Sequence, residues 1–368
     1  FSEFRTAELF VGGAAEGLVQ ISGGSRLYTG TTYVGWENNG EISVEFSQWD
    51  SGTVYVGYLA SGSVVVDNSD LRVGKFYLSG GSLELSNPIA VEFGSFYGTL
   101  GDITGSGNVY ARGAVIDTDL SFSSPVHLQQ NFYLNDGNIT FHLNLTSGEG
   151  DLGVGYRGSA RLNIGGNVTV RAEDVYLGYL PSGRGQAVVA GSDAKLHCSQ
   201  LHVGYFGEGI LTIHHGAEVA AWVSYVATTN QGRGTVLVTG PGSTWKTEYD
   251  LYLGGAGAKV TIADRAVATA NWVIVPAGAT LELEVTHDPV VILSRKPAFG
   301  GGVREATFSN EGTVILRAAT NLPPGMYTPI VARVWDDRSG IYEAIGGVWD
   351  ATRHVFAVGH AANENISV

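Results

Sequence analysis

Cysteine is almost absent from this sequence, and its absence excludes two classes of site. Cys198 is the single cysteine among 368 residues, so neither an internal disulfide framework nor a cysteine-rich metal site can form. Cys198 stands in an alternating, strand-like run, which favours a buried, small apolar side chain over a reactive thiol. We therefore expect no cysteine-based chemistry.

Charged residues and long apolar runs are also scarce. Asp, Glu, Lys and Arg make up 15% of the chain, basic residues do not cluster, and the net charge is −14. Such a chain would repel a phosphate backbone, so we expect no nucleic-acid partner. No apolar run reaches the roughly 18 residues of a membrane-spanning helix. The sequence starts at Phe1 and shows no signal peptide, from which we expect a mature, processed chain.

Glycine, in contrast, is abundant and recurs in a fixed phrase. There are 53 glycines, about twice the ordinary usage, and short runs rich in Val, Thr, Tyr and Ile separate them. An apolar residue followed by glycine returns about every 23 residues, which indicates an internal repeat. The phrase stands at Val11-Gly12, Val34-Gly35, Val56-Gly57, Val154-Gly155, Leu177-Gly178, Val203-Gly204 and Leu253-Gly254.

The repeat predicts an all-β fold. Alternating runs bounded by glycines give two or three short strands per repeat, and a repeat of that size buries a face only by stacking on its neighbours. We therefore predict a right-handed parallel β-helix, or β-solenoid, of degenerate repeats of about 23 residues. The repeats are assigned to residues 1–287, irregular at about 80–150, and residues 288–368 are predicted to form a C-terminal β cap.

Two of the repeats resemble a known family. Their core and turn residues are similar to the bacterial repeat shared by autotransporter passengers and PEP-CTERM-type exported proteins. The resemblance implies a parallel β-helix exported from a bacterium. It implies no catalytic residues, because the shared motif consists of turns and core positions. The residues that carry it are Val203-Gly204-Tyr205-Phe206-Gly207-Glu208-Gly209-Ile210-Leu211-Thr212-Ile213 and Val236-Leu237-Val238-Thr239-Gly240-Pro241-Gly242-Ser243-Thr244-Trp245.

Aromatic residues follow the repeated glycine at several copies. In a stack of repeats they would form a ladder along one side, which we interpret first as structural stacking. The alternative is a flat platform for sugar rings or for a partner. The ladder residues are Trp36, Tyr58, Tyr156, Tyr179 and Tyr205.

Parallel β-helices include polysaccharide lyases and hydrolases, so paired carboxylates are candidate catalytic groups. Asp117 and Asp119 lie two residues apart and would share one face of a strand. Asp336 and Asp337 precede Arg338 in a predicted turn. We interpret the first pair as a solvated edge and the second as turn residues.

Four histidines cluster within two repeats, at His197, His202, His214 and His215. Stacking could bring their turns together as a weak metal site, but ordinary surface or turn histidines are the favoured interpretation. We expect no metal, no other cofactor and no catalytic residue.

The repeat architecture, the low charge and the absence of a convergent site favour a non-enzymatic extracellular structural protein. It would serve as a surface scaffold or matrix component, secreted or displayed on a bacterial cell surface. A sharper hypothesis is end-to-end self-assembly into filaments, with Phe1, Phe4 and Phe10 as a docking arm. The alternatives are an adhesin or carbohydrate-binding protein, a polysaccharide-degrading β-helix enzyme, and a trimeric fibre segment.

Overall fold

The computed structural model describes residues 2–124, 128–286, 288–297, 303–337 and 339–358. Within these ranges nearly all regular structure is β-strand and no α-helix occurs. The helical segments are single 3₁₀ turns at Leu100–Asp102, Asn135–Gly137 and Gly255–Gly257. The predicted all-β class is confirmed.

Strands follow one another at short intervals along the first half of the chain. Most are five to nine residues long, as the spacing of the glycines predicts. They are β1 (Glu3–Val11), β2 (Gly17–Ile21), β3 (Arg26–Val34), β4 (Gly40–Glu45), β5 (Gln48–Val56), β6 (Gly62–Asp67), β7 (Asp70–Leu78), β8 (Gly81–Ser86), β9 (Ala90–Gly98), β10 (Ile103–Ala111), β11 (Ala114–Ile116), β12 (Leu120–Phe122), β13 (Gln129–Leu134), β14 (Ile139–Asn144), β15 (Leu152–Val154), β16 (Ser159–Gly165), β17 (Thr169–Arg171), β18 (Asp174–Leu177), β19 (Arg184–Ala190) and β20 (Lys195–Val203).

The second half of the chain contains shorter strands, especially towards its end. They are β21 (Glu208–His214), β22 (Glu218–Val226), β23 (Arg233–Thr239), β24 (Thr244–Thr247), β25 (Asp250–Leu253), β26 (Ala258–Ala263), β27 (Val267–Ala270), β28 (Trp272–Val275), β29 (Thr280–Val285), β30 (Val291–Leu293), β31 (Lys296–Pro297), β32 (Val303–Arg304), β33 (Thr307–Asn310), β34 (Thr313–Ala318), β35 (Gly325–Tyr327), β36 (Ile330–Val331), β37 (Val334–Asp337), β38 (Ile341–Ile345), β39 (Val348–Asp350) and β40 (Val355–Val358).

The strands belong to two compact units. The first unit lies within Phe1–Thr118, His127–Gly158 and Arg171–Glu173. The second lies within Asp119–Val126, Ser159–Val170 and Asp174–Val368.

The first unit is a stack of coils whose equivalent strands pair in parallel. Strands β1, β3, β5, β7 and β9 form one parallel ladder, and β2, β4, β6 and β8 form another. Each strand therefore hydrogen-bonds to the same strand of the next coil, which is the arrangement of a parallel β-solenoid. The solenoid prediction is confirmed.

The part of the sequence that looks irregular, about residues 80–150, departs from this scheme at one place in the first unit. Strand β10 pairs in parallel with β14, but β13 folds back and pairs with β14 antiparallel. Coils on either side keep their parallel register, so the irregularity comes from an inserted hairpin strand.

The second unit repeats the same principle. Strands β16, β19, β21, β23, β26, β29, β34 and β38 form one continuous parallel ladder. Within the predicted cap region, parallel pairing continues as far as β38, and β35, β39 and β40 form a separate antiparallel sheet. The boundary at residue 288 stays a prediction.

The core of each unit lies inside its coils. In the first unit, Trp49 is fully buried, and its Nε1 donates to Thr29 Oγ1 at 3.1 Å. Thr29 in turn donates to Ser51 Oγ at 2.8 Å, and Thr32 donates to Thr29 at 2.9 Å. These bonds satisfy the polar atoms that the coil interior would otherwise leave unpaired.

Candidate functional site

The nine-residue strands of the first unit bend at their fifth residue. Thr29 pairs with Ser51 and Thr31 pairs with Thr53, while the residue between them is skipped. The skipped residue is glycine in four successive coils. We call these residues the glycine corner: Gly30, Gly52, Gly74 and Gly94.

Close approach of neighbouring coils requires glycine at this corner. A Cβ atom added to Gly52 would lie 2.7 Å from the carbonyl oxygen of Gly30, and one added to Gly74 would lie 2.5 Å from that of Gly52. Both distances are well below van der Waals contact, and the obstacle is backbone that cannot move aside cheaply. The corner therefore forms a bare backbone strip across the coils.

A groove of about 1190 Å³ lies over this strip and is lined entirely by residues of the first unit. Side chains two positions before the corner point outward and stand in register from coil to coil. We call this column the groove wall. It consists of Arg5, Tyr28, Asp50, Arg72 and Glu92, and continues through Tyr110 and His142.

Charges alternate along the groove wall, and neighbouring side chains hold its two arginines in place. The Arg5 guanidinium lies 4.2 Å from the centre of the Tyr28 ring, a distance typical of a cation–π contact. Arg72 Nε lies 3.7 Å from Glu92 Oε2, and its Nη2 donates to Asp70 Oδ2 at 3.4 Å. The wall thus presents both cationic donors and carboxylate acceptors to the groove.

The far end of the wall is aromatic and amide-lined. The rings of Tyr110 and His142 stack with centroids 4.7 Å apart and an interplanar angle of 8°. His142 Nδ1 lies 2.9 Å from Asn131 Oδ1, and its Nε2 lies 3.2 Å from Asn108 Oδ1. Both ring nitrogens are therefore committed to neighbours, which fixes the orientation of the imidazole.

The predicted aromatic ladder is divided between different environments. Trp36 and Tyr58 stack at 5.0 Å and 6° in the first unit, and Tyr179 and Tyr205 stack at 5.3 Å and 27° in the second. Tyr156 instead is 1% exposed, with its hydroxyl 2.7 Å from Ser79 Oγ. Burial raises the pKa of Tyr156 to about 12.

A second aromatic column runs beside Trp36 and Tyr58 and was missed by the sequence analysis. Its ring centroids lie 4.3 to 5.1 Å apart. Because stacked rings cover one another's faces, the column presents ring edges rather than a flat platform. The signal was an aromatic residue two positions before the repeated glycine, as in Tyr33-Val34-Gly35. The column consists of Phe10, Tyr33, Tyr55, Tyr77 and Tyr97.

A buried carboxylate lies at the end of this column, against Tyr97. Asp151 has a fully buried side chain; its Oδ2 accepts from the Tyr97 hydroxyl at 2.5 Å and lies 2.8 Å from Lys75 Nζ. Partial burial opposes the charge of Lys75, but the hydrogen bond and the Coulomb attraction of Asp151 outweigh it and raise the pKa of Lys75. Lys75 directly follows Gly74 of the corner.

The carboxylates of Asp117 and Asp119, which the sequence offered as a candidate catalytic pair, both accept hydrogen bonds from backbone N–H groups. Asp117 Oδ1 accepts from the backbone N–H of Gly158 at 2.8 Å, and Asp119 Oδ1 accepts from that of Arg161 at 2.7 Å. Asp336 and Asp337 end strand β37 rather than forming the expected turn, and Arg338 lies outside the described residues.

Of the four clustered histidines, two contact each other and the other two contact different residues. His197 Nε2 lies 3.1 Å from Glu218 Oε1, and His202 stacks between two tyrosine rings. His214 Nδ1 lies 2.8 Å from His215 Nδ1, and partial burial, together with His215, lowers the pKa of His214. In the part of the chain that the structure describes, no three His, Cys, Asp or Glu residues form a group that could hold a metal ion.

Cys198 is buried in the second unit, and burial raises the pKa of its thiol. Of the docking arm, Phe1 lies outside the described residues. Phe4 is 60% exposed on β1, and Phe10 stacks on Tyr33 in the aromatic column.

No helix in the described ranges has the length and apolarity needed to cross a membrane. Comparisons of the chain with protein-family models, with curated proteins and with solved structures found no match. The resemblance to the autotransporter and PEP-CTERM repeat therefore rests on the repeat residues alone and stays a prediction.

Proposed function

We propose that this chain is a non-enzymatic, extracellular repeat protein whose first unit binds a linear polysaccharide in the groove over the glycine corner. The observation that supports this most directly is the groove itself. It extends across consecutive coils, has a floor of bare backbone, and is bordered by a continuous polar wall.

The spacing of the wall suits a polymer of sugar rings. Side chains in neighbouring coils repeat about every 4.8 Å, the distance between paired strands. An extended chain of six-membered sugar rings advances by a comparable length per ring. Successive rings would therefore meet successive wall residues, each offering a charged or hydroxyl group to a sugar hydroxyl.

The wall also supplies the kinds of hydrogen bond that sugars use. Arg72 offers several donors in a fixed plane, and Asp50 and Glu92 offer acceptors on the coils before and after it. Because an ion pair orients Arg72 and Glu92, and a hydrogen bond from Gln48 orients Asp50, less side-chain entropy would be lost on binding.

The arrangement of carboxylates favours binding over turnover. Glycosidases place two carboxyl groups on opposite sides of the bond that is cleaved. Asp50 and Glu92 stand in the same column, separated by Arg72, so both would approach a bound chain from one side. The scaffold of stacked coils then serves to present the groove.

The test is affinity electrophoresis of the full chain in gels that contain xylan, a soluble cellulose derivative, polygalacturonate or alginate. We expect retardation in at least one gel, and a marked loss of it for Arg72→Ala. Arg26→Ala is the matched control, because Arg26 lies exposed on the same sheet but outside the groove.

Two results would contradict the proposal. One is a wild-type chain that migrates alike in every gel, and the other is Arg72→Ala behaving as Arg26→Ala does. Release of reducing or unsaturated sugars by the wild type would keep the groove as the site but replace binding with catalysis.

A further inference from the structure

The second unit has the same strand position as the glycine corner, but it carries different residues. In the pairing of β20 with β22, Cys198 faces Ala221 and Gln200 faces Val223. The skipped residues are Ser199 and Trp222. Both are exposed, and the Trp222 side chain retains 54% of its accessible surface. An indole exposed to this extent loses the stabilisation that burial would give it.

The Trp222 indole has an aromatic neighbour on one adjoining coil and a small residue on the other. On the following coil, Tyr249 lies against it, with ring centroids 5.4 Å apart and a tilt of 47°. On the preceding coil the corner residue is Ser199, which has no ring to stack. An aromatic face with a small residue beside it leaves room for a flat apolar surface of a ligand.

A fixed polar network lies two positions before Trp222. His197, Ala220 and Lys246 stand in one column on three successive coils. Because Ala220 is small, the Glu218 carboxylate extends across it. One oxygen lies 3.1 Å from His197 Nε2, and the other accepts from Lys246 Nζ.

The polar network brings the Glu218 carboxylate, an acceptor, together with the His197 and Lys246 side chains. The side chains of His197, Glu218 and Lys246 retain 28%, 19% and 49% of their accessible surface, respectively. The Glu218 carboxylate and the Lys246 ammonium can therefore form further hydrogen bonds with a ligand that lies beside them. The carboxylate and the ammonium compensate each other, so the site carries no strong preference for a charged ligand.

We propose that Trp222 and the neighbouring polar network around Glu218 form a second binding site that takes one neutral six-membered sugar ring. The C–H face of the ring lies on the indole, and its hydroxyls exchange hydrogen bonds with Glu218 and Lys246. All of these residues belong to the second unit, so the site stands independently of the groove in the first unit.

The experiment titrates the full chain with neutral oligosaccharides and follows binding by calorimetry and by tryptophan fluorescence. The probes are the hexamers of β-1,4-linked glucose, xylose, mannose and N-acetylglucosamine. We expect at least one to bind, and Trp222→Ala to weaken it about ten-fold or more, as the loss of a central aromatic contact does. Tyr252→Ala is the matched control, because Tyr252 is a 42% exposed aromatic residue of the same unit.

Two further variants keep the test decisive if Trp222→Ala does not fold. Ser199→Trp places a second indole beside Trp222 on the preceding coil and leaves the polar network intact. The added ring should occupy the space of the ligand and abolish binding. Glu218→Gln keeps the shape and removes the charged acceptor, so it should weaken binding while Trp222 remains in place.

The proposal is overturned if no hexamer binds, or if Trp222→Ala and Ser199→Trp bind as the wild type does. It is also overturned if Arg72→Ala in the groove abolishes binding of the hexamers and Trp222→Ala does not. That last pattern would assign the neutral ligands to the first unit and support the groove proposal alone.

Discussion

The same strand position has opposite character in the two units. In the first unit the corner is glycine in four coils, and the backbone of one coil lies directly against the next. In the second unit the corner carries Ser199, then Trp222, then Glu248 and Tyr249. The first arrangement produces a groove that crosses coils, and the second produces an exposed aromatic side chain on one coil.

The units also differ in the number of residues that span the bend on the coil after Trp222. Coils of the first unit keep an identical count across it, so the ladder continues in register with one skipped glycine per strand. In the second unit the long strand divides into β24 and β25, and three residues lie between Thr247 and Leu251, where the preceding coil has two between Ala221 and Ser224. The extra residue interrupts the ladder on that coil, as a β-bulge does.

The largest effect should come from adding a side chain to the glycine corner. We expect Gly52→Val to destabilise the chain by about 3 kcal/mol, because its Cβ would meet backbone on the preceding coil and the coils would have to separate. The free energy of unfolding, from urea denaturation followed by circular dichroism, measures this.

Gly13→Val provides the matched control. A Cβ atom at Gly13 meets nothing within 4 Å, so we expect a change close to zero. Equal stability of Gly52→Val and Gly13→Val would show that the corner does not need glycine, and the contrast between the units would lose its physical basis.

A smaller loss should follow removal of the cation beside the glycine corner. Lys75→Met removes the cation from the buried Asp151 carboxylate, whose Oδ2 keeps the hydrogen bond from the Tyr97 hydroxyl. We expect a loss of about 2 kcal/mol, less than for a fully buried pair because Lys75 is partly exposed. Urea denaturation again gives the free energy.

Two variants test the cause of that loss. Lys259→Met removes an exposed cation 4.0 Å from Glu282 in the second unit, and should change stability by about 0.5 kcal/mol or less. Adding Asp151→Asn to Lys75→Met removes the buried charge and should recover part of the loss. If Lys259→Met costs as much as Lys75→Met, burial of Asp151 is not the cause.

The fold was predictable from the sequence because its signal is repeated. The phrase at Val34-Gly35 and Val56-Gly57 recurs about every 23 residues, and alternation on either side requires strands that bury one face. The inserted strand β13 was not predictable, since Gln129–Leu134 alternates as other strands do and nothing in it specifies an antiparallel partner.

The candidate sites were harder to predict than the fold. Arg72 and Glu92 appear isolated in the sequence, and they become one wall only when a constant register aligns them. Tyr156 follows the repeated glycine as Tyr58 does, but its place at an irregular coil buries it. Trp222 carries no motif, and its place at the corner emerges only from the pairing of β20 with β22.

The smallest effect concerns the pH dependence of the second unit's corner. Burial opposes ionisation of Glu218, but hydrogen bonds from Lys246 and His197 outweigh it and lower its pKa below the ordinary 4.5. A carboxyl whose pKa is lower in the folded chain stabilises the fold fully above pH 4.5, and this contribution is lost as the pH falls through the folded pKa.

The experiment measures the urea midpoints of the wild type and of Glu218→Gln from about pH 6 to about pH 3. The two midpoints should differ at the upper end of this range and become equal at the lower end. When Lys246→Ala is added to both proteins, the difference between their urea midpoints near pH 6 should become smaller, since one of the two donors to Glu218 is gone. A difference that stays constant down to the lowest pH would show that Glu218 contributes through its shape and not through its charge. The hydrogen bonds of the polar network would then not be the source of its stabilising effect.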